Sequence, residues 1–122
     1  MTTPGEKWTQ AYIQAWRTND PARIGALFTD DAIYLTSPDA DPRVGREAIV
    51  DGWLEDLDTP GTWSFDWWIV REDAEFIAIE GRTTYPAERD YLNLWIVRLA
   101  ADGRATAFTE WYMPRPHRTD ET

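Results

Sequence analysis

The spacing of the apolar residues changes once along this chain, near residue 61, and that single change restricts the fold more than any other feature. Before it the spacing is helical; after it the apolar residues alternate as in extended strands. Trp8, Tyr12, Ala15 and Trp16 fall at i, i+4, i+7 and i+8, which predicts a helix over roughly residues 5–18 with one broad aromatic face. Asn19-Asp20-Pro21 is a stop and restart, with Asp20 suited to cap a second helix and Pro21 to its first turn. Ile24, Leu27 and Phe28 give that helix a buried side, Thr29-Asp30-Asp31 ends it, and residues 32–36 read as a short strand. The stretch 37–42 holds two prolines and two acids and is expected as a loop. A third helix starting near Gly45-Arg46-Glu47 presents Ile49, Trp53 and Leu57 until Asp58-Thr59-Pro60-Gly61 breaks it.

Four strands fit the remainder, over residues 63–71, 76–85, 91–99 and 105–113, and their short connectors predict antiparallel hairpins rather than crossovers. The expected class is therefore α+β, one domain spanning 1–122, with a folded core of about 5–113 and a polar, extended tail over 114–122 that includes His117. In Tyr91-Leu92-Asn93-Leu94-Trp95-Ile96-Val97 both alternating sets are largely apolar, and Phe65, Trp67, Trp68 and Val70 repeat the pattern. Three short helices cover one face of such a sheet. The other face needs a partner, and a second copy of the same sheet is the simplest one, so a homodimer is expected.

Composition removes several functions. The chain carries 22 acidic against 12 basic side chains, for a net charge of −10, and its arginines form no basic stripe. Nucleic acid and membrane surfaces are poor partners for such a chain. Without Cys, and with one His, there is no disulfide framework, thiol nucleophile, thiolate metal site or His-rich metal cluster, so neither a metal nor another cofactor is expected. Asp39 and Asp41 alone lack the further oxygen ligands that a hard cation needs. No run is long enough to span a bilayer, and the first residues show no basic start followed by an apolar stretch, so a cytoplasmic location is expected.

The order helix, helix, short strand, Pro-rich loop, helix, curved antiparallel sheet resembles the nuclear transport factor 2-like superfamily, also called the SnoaL-like or ketosteroid-isomerase-like fold. Tyr12-Ile13-Gln14-Ala15-Trp16-Arg17-Thr18-Asn19-Asp20, then Ala26-Leu27-Phe28-Thr29-Asp30-Asp31-Ala32, are similar to the family's aromatic helix, its break, and its A-L-F-x-D-D-A run. Pro42-Arg43-Val44-Gly45-Arg46-Glu47-Ala48-Ile49 and the aromatic last strand, Phe108-Thr109-Glu110-Trp111-Tyr112, also look typical. The resemblance implies a cone: a bent sheet wrapped around the N-terminal helices, open at one end into an apolar pocket, commonly dimeric. Members include isomerases, dehydratases, polyketide cyclases, epoxide hydrolases, binding subunits and assembly domains, so the fold alone does not assign a reaction. Set beside ketosteroid isomerase, Tyr12 takes the place of the oxyanion-binding tyrosine, but Ser37 and Trp95 stand where that enzyme has its two carboxyl groups. Neither side chain can shuttle a proton between carbons. The acid-flanked arginine of limonene epoxide hydrolase and the histidines of scytalone dehydratase are not visible either.

With Trp95 facing inward, strand parity turns Asn93 and Val97 inward, and the last strand adds Phe108, Glu110 and Tyr112. One carboxylate among aromatics costs free energy to keep ionised, which makes Glu110 the most chemically pointed residue. The expected catalytic set is Glu110 with Tyr12 as hydroxyl donor and Asn93 as amide. Trp16, Tyr34, Trp53, Trp95, Phe108 and Tyr112 are the expected pocket wall, suited to a small hydrophobic, aromatic or polyketide-like molecule. Against this, a bulge shifting the register by one would pair Glu110 with Arg82, Arg98 or Arg104, and a Trp-filled cone would be a non-catalytic binding or assembly module. Glu80 and Arg82 are expected on the outer face of the sheet, and Asp66 as an edge or outer-face polar group.

Overall fold

The computed structural model describes residues 2–87 and 89–115; of the expected tail, 116–122 with His117 lie outside the described residues. Thr3 opens the first helix, α1 (Pro4–Thr18): its hydroxyl accepts the Glu6 N–H at 3.1 Å, and the Glu6 carboxylate accepts the Thr3 N–H at 3.0 Å. This reciprocal cap satisfies two amide groups that a helix start leaves open. The helix stops at Asn19, which takes up a left-handed conformation (φ 52°) tolerated by asparagine. Asp20 then caps the short α2 (Pro21–Gly25).

The first strand, β1 (Phe28–Leu35), begins four residues before the expected position, so Phe28 and the two acids after it belong to a strand and not to the end of a helix. Ile24, Leu27 and Phe28 face the core in either conformation, which is why their spacing looked helical. What decides the matter is pairing: Ala105 donates its N–H to the Leu27 carbonyl at 2.7 Å, and Phe28 lies opposite Ala105 in a parallel ladder. Asp30 and Asp31 fall in the register shift between Phe28 and Ile33 and turn outward to water. A two-residue strand, β2 (Arg43–Val44), pairs antiparallel with β1, opposing Arg43 to Tyr34. It is too short to show a period. The third helix, α3 (Arg46–Glu55), ends before Leu57, which is exposed and not part of the buried stripe.

The hairpin strands follow as expected: β3 (Ser64–Asp73), β4 (Phe76–Thr84), β5 (Asp90–Leu99) and β6 (Ala105–Pro114). The sheet has six strands in the order β2-β1-β6-β5-β4-β3, so it is curved but unclosed, with β1 and β6 forming its one parallel pair. The strands thus make the expected α+β cone, with α1 laid across its inner face. Trp8 and Tyr12 of α1 pack on Phe28 and Phe108, and the Trp8 indole donates to the Leu27 carbonyl at 3.0 Å. Ile77, Ile79, Val97 and Ile49 complete the dry core. Gly81 of β4 is required where it stands: a β-carbon there would run into the ring of Phe65 and lie 3.1 Å from the Asp66 carbonyl oxygen. No described helix is long and apolar enough to cross a membrane.

The outward face of the sheet is built from the other parity set. Trp68, Glu80, Leu94 and Trp111 form one row across β3 to β6, and Asp66, Arg82, Leu92 and Met113 the next. Trp68 donates to Glu80 at 2.9 Å, and Arg82 stands opposite Asp66. Trp68, Val70, Leu92, Trp111 and Met113 are exposed on this side.

Candidate functional site

The open end of the cone holds a cavity of about 280 Å³ bounded by α1, α3, β5, β6 and the loop after α3. Register places its chemistry. Trp95 lies opposite Glu110, and Asn93 opposite Tyr112, with no shift until Arg98 and Leu99 at the far end of the ladder. Glu110 therefore stays inward and forms no ion pair with Arg82, Arg98 or Arg104; Arg104 is instead held by Asp102 at 2.8 Å. Within the cavity Asn93 Nδ2 donates to Glu110 Oε2 at 2.6 Å, and Trp95 Nε1 donates to the same oxygen at 3.1 Å. Thr83 donates to Asn93 Oδ1 at 2.8 Å, so the amide is locked with its NH2 toward Glu110. Burial raises the Glu110 pKa above the usual carboxylate value; the Trp95 and Asn93 bonds pull it back, and the negative charge of Asp58 adds to the rise.

Tyr12 and Tyr34 share a hydroxyl–hydroxyl hydrogen bond of 2.8 Å. Burial, foremost, raises both phenols well above their ordinary value, and Glu110 pushes each further. Both remain protonated donors at neutral pH. Of their two hydroxyl hydrogens, one is used between them and the other has no protein acceptor among the described residues. The rings stack against Phe108, which is fully buried beneath them: Phe108 supports the floor and does not line the cavity, contrary to expectation. The other wall residues read from the sequence do line it, namely Trp16, Tyr34, Trp53, Trp95 and Tyr112, the last exposed at the rim.

Two groups escaped the sequence. Asp58 follows α3, where it had the look of a simple helix terminator, yet its Oδ2 accepts from Trp16 Nε1 at 2.9 Å and from the Tyr85 hydroxyl at 3.0 Å. Asn19, in its left-handed cap, fastens the same loop by donating to the Asp58 carbonyl at 3.2 Å while accepting from Trp53 Nε1 at 3.2 Å. Burial, with Asp58 beside it, raises the Tyr85 phenol above its ordinary value. Arg43 is the second. Short β2 brings its guanidinium over the Tyr34 ring, 5.7 Å from the centroid, and into the cavity wall. The cavity is thus mixed, aromatic side chains accompanied by the carboxylates of Asp56, Asp58 and Glu110, a guanidinium and hydroxyls, where the resemblance implies an apolar pocket. Ser37, by contrast, donates to Asp39 at 2.9 Å outside it. Among the described residues no group of three or more His, Cys, Asp or Glu is placed to hold a metal ion.

Fold and site together define an open α+β cone with a small-molecule-sized cavity at its wide end. The SnoaL-like domain family matches residues 9–108, and the chain belongs to that family. Solved structures agree on the fold. A protein of unknown function from Burkholderia xenovorans, NTF-2 like, superimposes with a TM-score of 0.75 at 16% identity, over 94% of this chain and 87% of that one. A ketosteroid isomerase-like protein from Erwinia carotovora atroseptica gives 0.66 at 20% identity, covering 92% of this chain and 95% of the other. An LEH-like epoxide hydrolase from M. tuberculosis gives 0.63 at 16%, over 92% and 84%. No curated protein matches the sequence.

Proposed function

We propose that this chain binds a small organic molecule with an aromatic or otherwise apolar body in the cavity, and that Glu110 exchanges a proton with it without a cofactor. One observation carries the reading: both hydrogen bonds to Glu110 land on Oε2, and Oε1 has no protein donor among the described residues. A half-buried carboxylate oriented by two donors, one oxygen spare, is positioned to take a proton from a ligand or a water. The spare hydroxyl hydrogen of the Tyr12–Tyr34 pair supplies a donor for charge developing on a ligand oxygen. Asn93 is a positioning residue here, since both ends of its amide are engaged.

That the cavity is open, and not filled by indoles, favours this over a purely structural module. A thermal-shift screen of aromatic and polyketide-like compounds on the wild type and Glu110→Gln tests it. Stabilisation of the wild type that weakens in the variant is expected. If no compound stabilises either protein, the reading is abandoned.

The exposed apolar rows on the outer face of the sheet support a second proposal, that two copies pair through this face. Leu92 and Leu94 of β5 adjoin Met113 and Trp111 of β6 there, and Trp68 lies on β3 beyond Glu80. An exposed apolar patch on a sheet face suits a two-fold interface, in which the same patch meets its own copy.

A further inference from the structure

Asp58 and Glu110 present the same unfinished arrangement to one cavity. Each carboxylate has one oxygen saturated by two side-chain donors, Trp16 and Tyr85 on Asp58, Asn93 and Trp95 on Glu110. Each leaves its second oxygen without a protein partner among the described residues, and neither of those oxygens is sealed off, the one buried unpaired side-chain atom being Trp63 Nε1. A carboxylate only accepts, so whatever completes this pair must donate. A hydroxyl brings one hydrogen and no charge; a protonated amine brings two or three hydrogens on one atom, with the charge that two carboxylates call for.

We propose, resting on the cavity as a ligand site, that its ligand is a protonated amine with a flat apolar body, the ammonium lying between Asp58 and Glu110. The surroundings agree. Asp56 joins Asp58 and Glu110 in the lining, while Arg43, the basic residue there, is turned over Tyr34 and against Gly52 and pairs with none of them. Trp16, Trp53, Tyr85 and Tyr112 put aromatic rings in the lining, and aromatic rings attract cations through their quadrupoles. The chain's charge of −10 draws cations toward it. A hard metal ion is a poor alternative, because it takes six or more oxygen ligands and half of this lining is aromatic. A cavity of about 280 Å³ suits one ring system with a short chain.

The substitutions Asp58→Asn and Glu110→Gln test the class with little change of shape. In each the amide oxygen keeps the two existing donors and the NH2 turns to the cavity, replacing an acceptor with a donor. Three probes of matched shape, tryptamine, tryptophol and indole-3-acetate, are titrated against the wild type and both variants. The indole N–H resonances of Trp16 and Trp95, which rest on the two carboxylates, report binding at the site. Tryptamine is expected to bind about tenfold more tightly than tryptophol, with indole-3-acetate weakest, and each substitution to remove that preference. Equal binding of tryptophol and tryptamine, or a preference that survives both substitutions, overturns the amine class and leaves the ligand site standing. Binding led by indole-3-acetate assigns the site to Arg43 and also overturns it. If none of the three, at any concentration tested, moves either resonance, both this proposal and the ligand-site reading beneath it fall.

Discussion

Trp95 and Glu110 face each other across the β5–β6 ladder, and the indole N–H of the first donates to the carboxylate of the second at 3.1 Å. The bond ties a core residue to the floor of the cavity. Trp95 is 2% exposed and stacks on Phe65 at 4.8 Å, so the donor cannot move away from the carboxylate without disturbing the core. Glu110 is in this way held in a partly dehydrated position.

That position has a pH signature. The folded state raises the Glu110 pKa above its ordinary 4.5, so the native protein binds this proton more tightly than the unfolded chain. The group's contribution is then most favourable below the ordinary value and is lost as pH rises through the folded pKa. Glu110→Gln is expected to gain stability relative to wild type as pH goes from about 4 to 7, read from urea unfolding at each pH. A difference that stays flat across this window contradicts the strained carboxylate.

Asn93→Ala removes the 2.6 Å donor to Glu110 and the acceptor of Thr83 together. The Glu110 pKa should rise further, seen in a carboxyl-carbon NMR titration. At neutral pH the loss of a hydrogen bond to a charged group should cost about 1.5 kcal/mol, and less at pH low enough to protonate Glu110.

Gly81→Ala tests the close packing of β4 on Phe65. The added methyl collides with that ring, which is itself stacked on Trp95, and should cost about 1–3 kcal/mol in chemical denaturation. The indole resonance of Trp95 should shift with it.

For the outer face, light scattering at micromolar concentration is expected to give twice the chain mass. Trp111→Arg, which places a charge beside Leu94 at the β6 end of the exposed row, should yield a monomer with an unchanged far-ultraviolet circular dichroism spectrum. A monomeric wild type refutes the pairing.

The eight tryptophans show what position adds to composition. Trp8 is core; Trp16, Trp53 and Trp95 wall the cavity; Trp63 stacks on Trp16 at 3.6 Å; Trp67 packs at the core's edge; Trp68 and Trp111 face outward. Strand parity already separates Trp95 from Trp111 and Trp67 from Trp68, because alternation is a property of any extended chain. Depth is another matter. Phe108 and Tyr112 share one parity, yet the first is sealed and the second exposed, because the rings of Tyr12 and Tyr34 stack over Phe108 while Tyr112 reaches the rim.

By itself the sequence determined what local covalent geometry controls: helices then hairpins, the shared face of Asn93 and Trp95, and the aromatic stripe of α1, while the register of β5 on β6 decided that Glu110 joins them. Its motifs also carried the family likeness. The tertiary structure alone decided what depends on contacts between distant segments. Phe28 became strand because Ala105 was there to pair with it, Arg43 reached the cavity through a two-residue strand, and Asp58 turned from a helix terminator into a second cavity carboxylate. None of these follows from a neighbouring residue. Each needs the sheet to bend and a loop to close over it, and no periodicity along the chain encodes that.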